Sequence, residues 1–290
     1  VCRVNNFKFM GTAKTNIRSP GVAGMFYPAS GDRLTSLIES LSLQANTEKS
    51  TDTFSGNIIG GIVPHAGMVY CGRQTAGFFE EVNRSGFAPD TVIIVHPNHY
   101  GAGPRFSIDA HHYWELPNGI IETDMELGSE LDLPFSSSAQ EREHSAEVIV
   151  PFILHYFPGT VKLVSLNMLD QSYQACCEVA GKILSAAKNQ NRNIMLIASS
   201  DFSHFVSRTE AREMDDIVLK EIIARNTLQV YRTIMVNNIS VCGYGPIMTL
   251  MEYCSGIDPE YGIKLLSRGD SGNIRDTSDV VSYVSALFYS

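Results

Sequence analysis

Three histidines in this sequence fall just beyond short apolar runs. Ile58–Val63 leads into Pro64-His65-Ala66-Gly67, and Thr91–Val95 leads into His96-Pro97-Asn98-His99. Ile194–Ala198 leads into Ser199-Ser200-Asp201-Phe202-Ser203-His204. Each run reads as a buried strand that passes into a loop broken by Pro, Gly or Ser. Eight histidines scattered at random would rarely gather at three strand ends. Neutral imidazole is the commonest metal ligand, so loops from neighbouring strands can bring His65 and His99 to one ion. The competing reading is two polar loop residues, one of which caps a helix. His96, nearer its strand, is expected to point into the sheet as a structural or supporting residue.

Cys242 stands in Val241-Cys242-Gly243-Tyr244-Gly245-Pro246, a glycine-flanked turn entering a helix. A thiol at a helix N-terminus has its thiolate favoured by the exposed N–H groups, and thiolate is both nucleophile and soft ligand. A small buried residue is the alternative. Asp201 and His204 form a D-x-x-H pair suited to an orienting carboxylate with a general base, or to further ligands. Asp201 could instead cap local backbone N–H groups. His144 and Glu147 share a face if a helix begins there, as an acid/base couple or a solvated helix start. His111, His112 and His155 read as structural. Gly101-Ala102-Gly103 lacks the rest of a dinucleotide fingerprint, and no G-x-S-x-G elbow is present.

These residues need a scaffold of strands alternating with helices. Besides the runs above, Val161–Leu166 reads as a strand, Ile108–Tyr113 as another, and Ile263–Ser267 with Val280–Phe288 as two closing strands. Helices are expected over Asp32–Leu43, Gln74–Val82, Met125–Leu131, Gln171–Lys188, Ser207–Arg225 and Leu228–Val236. A further helix should run from Pro246 to Cys254 with Gly256 as its stop, and one from Glu143 through Ile153, interrupted at Pro151. Ser207 and Glu210 have capping-box spacing. Asn46–Ser55 reads as a polar loop. The pattern implies one α/β domain over 20–290, with a largely parallel, mixed central sheet flanked by helices. Residues 1–19 are expected to form a tail or edge segment. In such sheets the ligand crevice lies beyond the carboxyl ends of the strands, where the histidines fall.

Composition narrows the function. Of 290 residues 44% are hydrophobic and 18% charged, enough for a sizeable core. A formal charge of −9 and the lack of a basic run argue against nucleic-acid binding. No stretch reaches the roughly 18–20 apolar residues that span a bilayer. The six cysteines include no C-x-x-C pair, and scattered thiols in an acidic chain fit the cytoplasm.

Together, Ala23-Gly24-Met25-Phe26-Tyr27-Pro28, Pro64-His65-Ala66-Gly67 with Tyr70-Cys71-Gly72, Pro97-Asn98-His99, Glu143-His144-Ser145-x-Glu147, Ser199 to His204 and Cys242-Gly243-Tyr244-Gly245-Pro246 resemble, in order, the Memo family. These proteins are related to the mediator of ErbB2-driven cell motility. The Gly-Tyr-Gly-Pro ending resembles microbial members, which accompany a radical-SAM protein and an AMMECR-type protein in the AmmeMemoRadiSam system. The resemblance implies a fold similar to the class III extradiol dioxygenases, which hold iron with two histidines and a carboxylate. It implies His65, His99 and Cys242 as ligands for iron (Fe2+) or copper, with the thiol in the carboxylate's place. It further implies His204 as acid/base, with Asp201, His144 and Glu147 in the same pocket. Zinc is also compatible with this ligand set. The animal members' phosphotyrosine-peptide role is not expected here, because no arginine cluster is present. Three functions follow: a metal-dependent oxidoreductase acting on a small molecule or peptide, a metal-binding scaffold without turnover, or a zinc-type hydrolase using Glu147 or His204 as base.

Overall fold

Strands that are apolar at every position belong where both faces are covered, and the central strands show this directly. Along Thr91–Pro97, Ile93 and Val95 face one core cluster while Val92 and Ile94 face the other. Leu196 and Ala198 alternate in the same way with Met195 and Ile197. The period-2 geometry of a strand thus splits one apolar run between two helical layers.

The computed structural model describes residues 16–46, 56–159, 161–189, 192–274 and 278–290. Of the tail or edge segment expected over residues 1–19, residues 1–15, Cys2 among them, lie outside the described residues, as does the polar loop beyond Asn46. In chain order the elements are β1 (Ile17–Arg18), α1 (Gly31–Asn46), β2 (Ile58–Val63), α2 (Met68–Ser85), β3 (Thr91–Pro97), β4 (Phe106–Ile108), β5 (Tyr113–Leu116), β6 (Gly119–Thr123), α3 (Met125–Glu130) and α4 (Val150–Tyr156). There follow β7 (Lys162–Met168), α5 (Tyr173–Asn189), β8 (Ile194–Ser199), β9 (His204–Ser207), α6 (Arg208–Ile223), α7 (Thr227–Asn237), α8 (Tyr244–Ile257), β10 (Gly262–Asp270) and β11 (Asp279–Tyr289). The sheet runs β1-β5-β6-β7-β3-β8-β2-β11-β10, with β4 on β7 and β9 on β11. Its centre, β6-β7-β3-β8-β2, is parallel, and β11 and β10 close it antiparallel. Helices α1, α2 and α4 cover one face, and α3 with α5 to α8 the other. The expected single α/β domain with a mixed, largely parallel sheet is the fold observed.

Local departures have physical causes. The strand expected over Ile108–Tyr113 is two strands, β4 and β5. Between them the Asp109 carboxylate accepts hydrogen bonds from the His111 ring and the Trp114 indole, and this local bonding turns the chain. The helix expected from Glu143 starts only at Val150. Residues 143 and 144 are irregular and 145–149 form turns, and Pro151 sits in the first turn of α4, where its missing N–H costs nothing. Helix α8 runs past Gly256 to Ile257, so that glycine lies inside the helix, packed on Leu184. Helix α6 starts as expected, with Ser207 Oγ accepting from the N–H of Glu210. The short strands β6 and β9 lie outside the alternating pattern, and β1 gives the N-terminal segment an edge strand, paired with β5. No helix among the described residues is long and apolar enough to cross a membrane.

Candidate metal centre

In the sheet, β8 lies between β2 and β3. His65 follows β2 across Pro64, His99 follows β3 across Asn98, and the β8 end between them carries Ser199, Ser200 and Asp201. The loop entering α8 folds over that end. Gly243 N–H donates to Ser200 Oγ (3.0 Å), and the N–H of Asp201 points at Cys242 Sγ (3.3 Å). One donor atom each from His65, His99 and Cys242 lie within 4.8 Å of one another.

Hydrogen bonding fixes which imidazole nitrogens face this point. Ser199 Oγ donates its only proton to the Ser145 carbonyl (2.6 Å), so toward His65 Nδ1 at 2.7 Å it can only accept. His65 therefore carries its proton on Nδ1, and Nε2, 3.3 Å from Cys242 Sγ, presents a lone pair. His99 Nδ1 donates to Glu143 Oε1 (2.8 Å), which leaves Nε2 as the ligand atom there too. A ring proton held by a carboxylate or hydroxyl is the usual support of a metal-bound histidine. Burial, with the neighbouring His144 and His99, holds the His65 imidazolium well below its usual range, so the ring is neutral near pH 7.

Glu143 also groups with His99 and His144 as a possible ligand set. Its carboxylate is already occupied by the N–H groups of His99, His144 and Ser145 besides the His99 ring. Burial pushes its carboxyl up, but the His99 hydrogen bond and adjacent imidazoles outweigh this and hold it below the usual carboxylate range. A carboxylate so saturated orients a ligand; it has little left to bind an ion. The support comes from Glu143, Ser199 and Ser145, none of which stood out among the candidate residues. A carboxylate before a histidine reads in sequence as a solvated turn, and serine carries no spacing signal.

Cys242 departs from expectation. It precedes the N-cap of α8, yet burial and the Asp201 charge push its thiol well above the usual range. Removal from water outweighs the helix N-terminus. Metal binding must therefore expel this proton. The sign is direct: while the thiol is protonated, raising the pH lowers the cost of forming the thiolate. Apparent zinc affinity is expected to rise about tenfold per pH unit between roughly pH 6 and 8, with about one proton released. Calorimetry in two buffers of different ionisation enthalpy measures that proton, and a flat pH response would contradict ligation by the thiol.

The Cys242 loop is held by Gln171, whose Nε2 donates to the Cys242 carbonyl (2.9 Å) and whose Oε1 accepts from Gly245 N–H (2.8 Å). A Cβ on Gly243 would lie 2.2 Å from the Ser199 carbonyl oxygen. Gly243→Ala is expected to lower stability by about 1–3 kcal/mol through overpacking and to weaken zinc binding. Urea denaturation and zinc titration measure the two effects; an unchanged zinc affinity would show that the close approach does not set the sulfur position.

The remaining candidates separate. Asp201, His204 and His144 line one cleft of about 650 Å³. Asp201 Oδ1 accepts from His65 N–H (2.8 Å); burial pushes its carboxyl up to about 6 against that bond and the nearby His204. His204 donates from Nδ1 to the Ser240 carbonyl (2.7 Å), so its Nε2 keeps a lone pair for proton transfer. His144 stacks on His99 with centroids 4.8 Å apart, and burial pushes it down to about 4. Glu147 lies elsewhere. It is fully buried and accepts from Arg18 (2.5 Å), from the N–H groups of Gly21 and Val22 (2.9 Å each), and from Tyr27 Oη. Its oxygens face the N-terminal segment, and it is absent from the cleft lining. His96, as expected, is buried and bridges Ser145 Oγ and Ser165 Oγ at 3.0 Å each.

Two strand ends and the loop entering α8 thus form a candidate mononuclear centre with two nitrogen donors and one sulfur donor beside a cleft. The chain belongs to the Memo-like protein family, whose pattern matches residues 18–287. A MEMO1 family protein of Methanobrevibacter smithii is 36% identical over 284 residues, covering 94% of this chain and 99% of the relative. Those of Methanocaldococcus jannaschii (36%; 93% and 98% covered) and Methanococcus maripaludis (34%; 93% and 99%) are similarly related.

Proposed function

We propose that this chain holds one transition-metal ion on His65 Nε2, His99 Nε2 and Cys242 Sγ, and that the adjoining cleft supports oxidoreductive chemistry. The observation that carries the reading is the pair of proton-fixing contacts, Ser199 on His65 and Glu143 on His99, which turn two lone pairs toward one thiol. Two imidazoles and a thiolate suit ferrous iron, copper or zinc, and three protein ligands leave positions open. Iron(II) is preferred on the resemblance to the extradiol dioxygenases. Once bound, the ion would supply redox or Lewis-acid chemistry.

The chain's own part is positional. Asp201 steadies the His65 backbone, and its N–H supports the Cys242 sulfur. His204 Nε2 takes up or returns a proton from a molecule in the cleft. Glu147 is committed to Arg18 and backbone N–H groups, so a hydrolytic base, were zinc the ion, falls to His204. A radical-SAM protein and an AMMECR-type protein are the proposed partners, on the strength of the resemblance.

Metal content after anaerobic purification, followed by oxygen uptake with phenolic compounds, tests the reading. About one iron per chain and substrate-dependent uptake are expected, with His204→Ala reducing turnover by roughly 10²–10⁴-fold. Stoichiometric zinc, poor iron binding and no oxygen uptake would contradict it.

A further inference from the structure

His204 and Cys242 lie on two segments that are laced to each other. One is the end of β8 running into β9, from Ser200 to His204, and the other is the loop between α7 and α8, from Ser240 to Gly243. Gly243 N–H donates to Ser200 Oγ, and Cys242 Sγ meets the N–H (3.3 Å) and carbonyl (3.6 Å) of Asp201. Farther along, Ser240 Oγ accepts from the N–H of His204 (2.8 Å) and donates to its carbonyl (3.2 Å). The two segments therefore run in opposite directions, with 200 beside 243, 201 beside 242 and 204 beside 240.

Ser240 also reaches the His204 ring, whose Nδ1 lies 2.7 Å from the Ser240 carbonyl. A carbonyl oxygen only accepts, so the ring proton sits on Nδ1, and Nε2 is unprotonated on a ring that lines the cleft. The loop that supplies these acceptors is itself fixed, because Ile239 and Val241 on either side of Ser240 are buried in the core. Ser240 is exposed, so water can replace the bonds of its hydroxyl, and their contribution to folding is below the usual 0.5–1.5 kcal/mol or so. What they hold is the place of one histidine relative to the Cys242 loop.

We propose that Ser240 is a positioning residue for His204: it selects the Nδ1–H tautomer, keeps the Nε2 lone pair available in the cleft, and ties that ring to the loop carrying the sulfur ligand. The inference rests on the proposed function for the use of the proton. The tautomer belongs to the chain itself and holds without metal.

Protein labelled with nitrogen-15 histidine, metal-free and zinc-loaded, tests this by two-bond proton–nitrogen correlation at about pH 8, where an ordinary imidazole is neutral. His204→Gln assigns the resonance. The wild-type ring is expected to carry its proton on Nδ1 in more than about nine-tenths of the molecules. In Ser240→Ala that fraction should fall below about half, and Ser240→Thr, which keeps the hydroxyl, should restore it. Zinc content of Ser240→Ala should match the wild type, because Cys242 Sγ takes its contacts from His65 and Asp201. A wild-type ring protonated on Nε2, a tautomer unchanged in Ser240→Ala or not restored in Ser240→Thr, or a loss of zinc in Ser240→Ala would overturn the proposal. Absence of zinc or oxygen uptake in the wild type would count against the proposed function alone, because the tautomer is also read on metal-free protein.

Discussion

Replacing His65 and Cys242 together by alanine leaves a folded chain that retains less than about a tenth of the wild-type metal. The two side chains face each other, with Nε2 and Sγ 3.3 Å apart, and the third donor, His99, cannot hold an ion alone. Their removal takes one nitrogen and the only sulfur from the set. Folding is expected to survive, because the strands beneath are packed by Ile62, Val63 and Ala198, which do not change. Metal analysis after dialysis, with circular dichroism as a control on folding, measures the outcome. Unchanged metal content in a folded double variant would place the ion elsewhere, and the His99, Glu143 and His144 group would then be the first alternative to test.

Arg18→Met is expected to destabilise the fold by about 3–5 kcal/mol, the cost of leaving a buried charge unpaired. Arg18 and Glu147 are 3% and 0% exposed and meet at 2.5 Å. The same guanidinium donates to the carbonyls of Gln140 and Glu143 and lies over the Trp114 ring at 4.1 Å. Glu147 in turn ties down Gly21, Val22 and Tyr27, the turn that carries Met25 and Phe26 to the cleft. One buried ion pair therefore joins the N-terminal edge to the turn that holds Glu143 and, through it, His99. Adding Glu147→Gln should recover part of the loss, since the buried charge is removed. Urea unfolding measures both variants, and a loss below about 1 kcal/mol for Arg18→Met would show that the pair contributes little.

The parts of this architecture that depend on local pattern were legible in the sequence. Ile58–Val63 and Ile194–Ala198 announce themselves by their apolar runs, and the sheet then fixes where His65, His99 and Asp201 fall. The Ser207 cap was legible for the same reason, because its partner is three residues away. Long-range polar bonding was not. Glu147 is bound by residues more than a hundred positions earlier in the chain, and no helical spacing reports that. The H-x-x-E spacing suggested a shared face, whereas the chain there forms turns and sends His144 and Glu147 to different surroundings. The Cys242 thiol misled in another way: helix position is visible in sequence, but the desolvation that opposes it depends on how the loop folds over β8.

X-ray absorption at the metal edge of iron- or zinc-loaded protein addresses the centre most directly. The expected spectrum contains one sulfur scatterer near about 2.3 Å and two imidazole nitrogens near about 2.0–2.2 Å, with the sulfur lost in Cys242→Ser. A first shell of nitrogen and oxygen alone in the wild-type protein would contradict ligation by His65, His99 and Cys242.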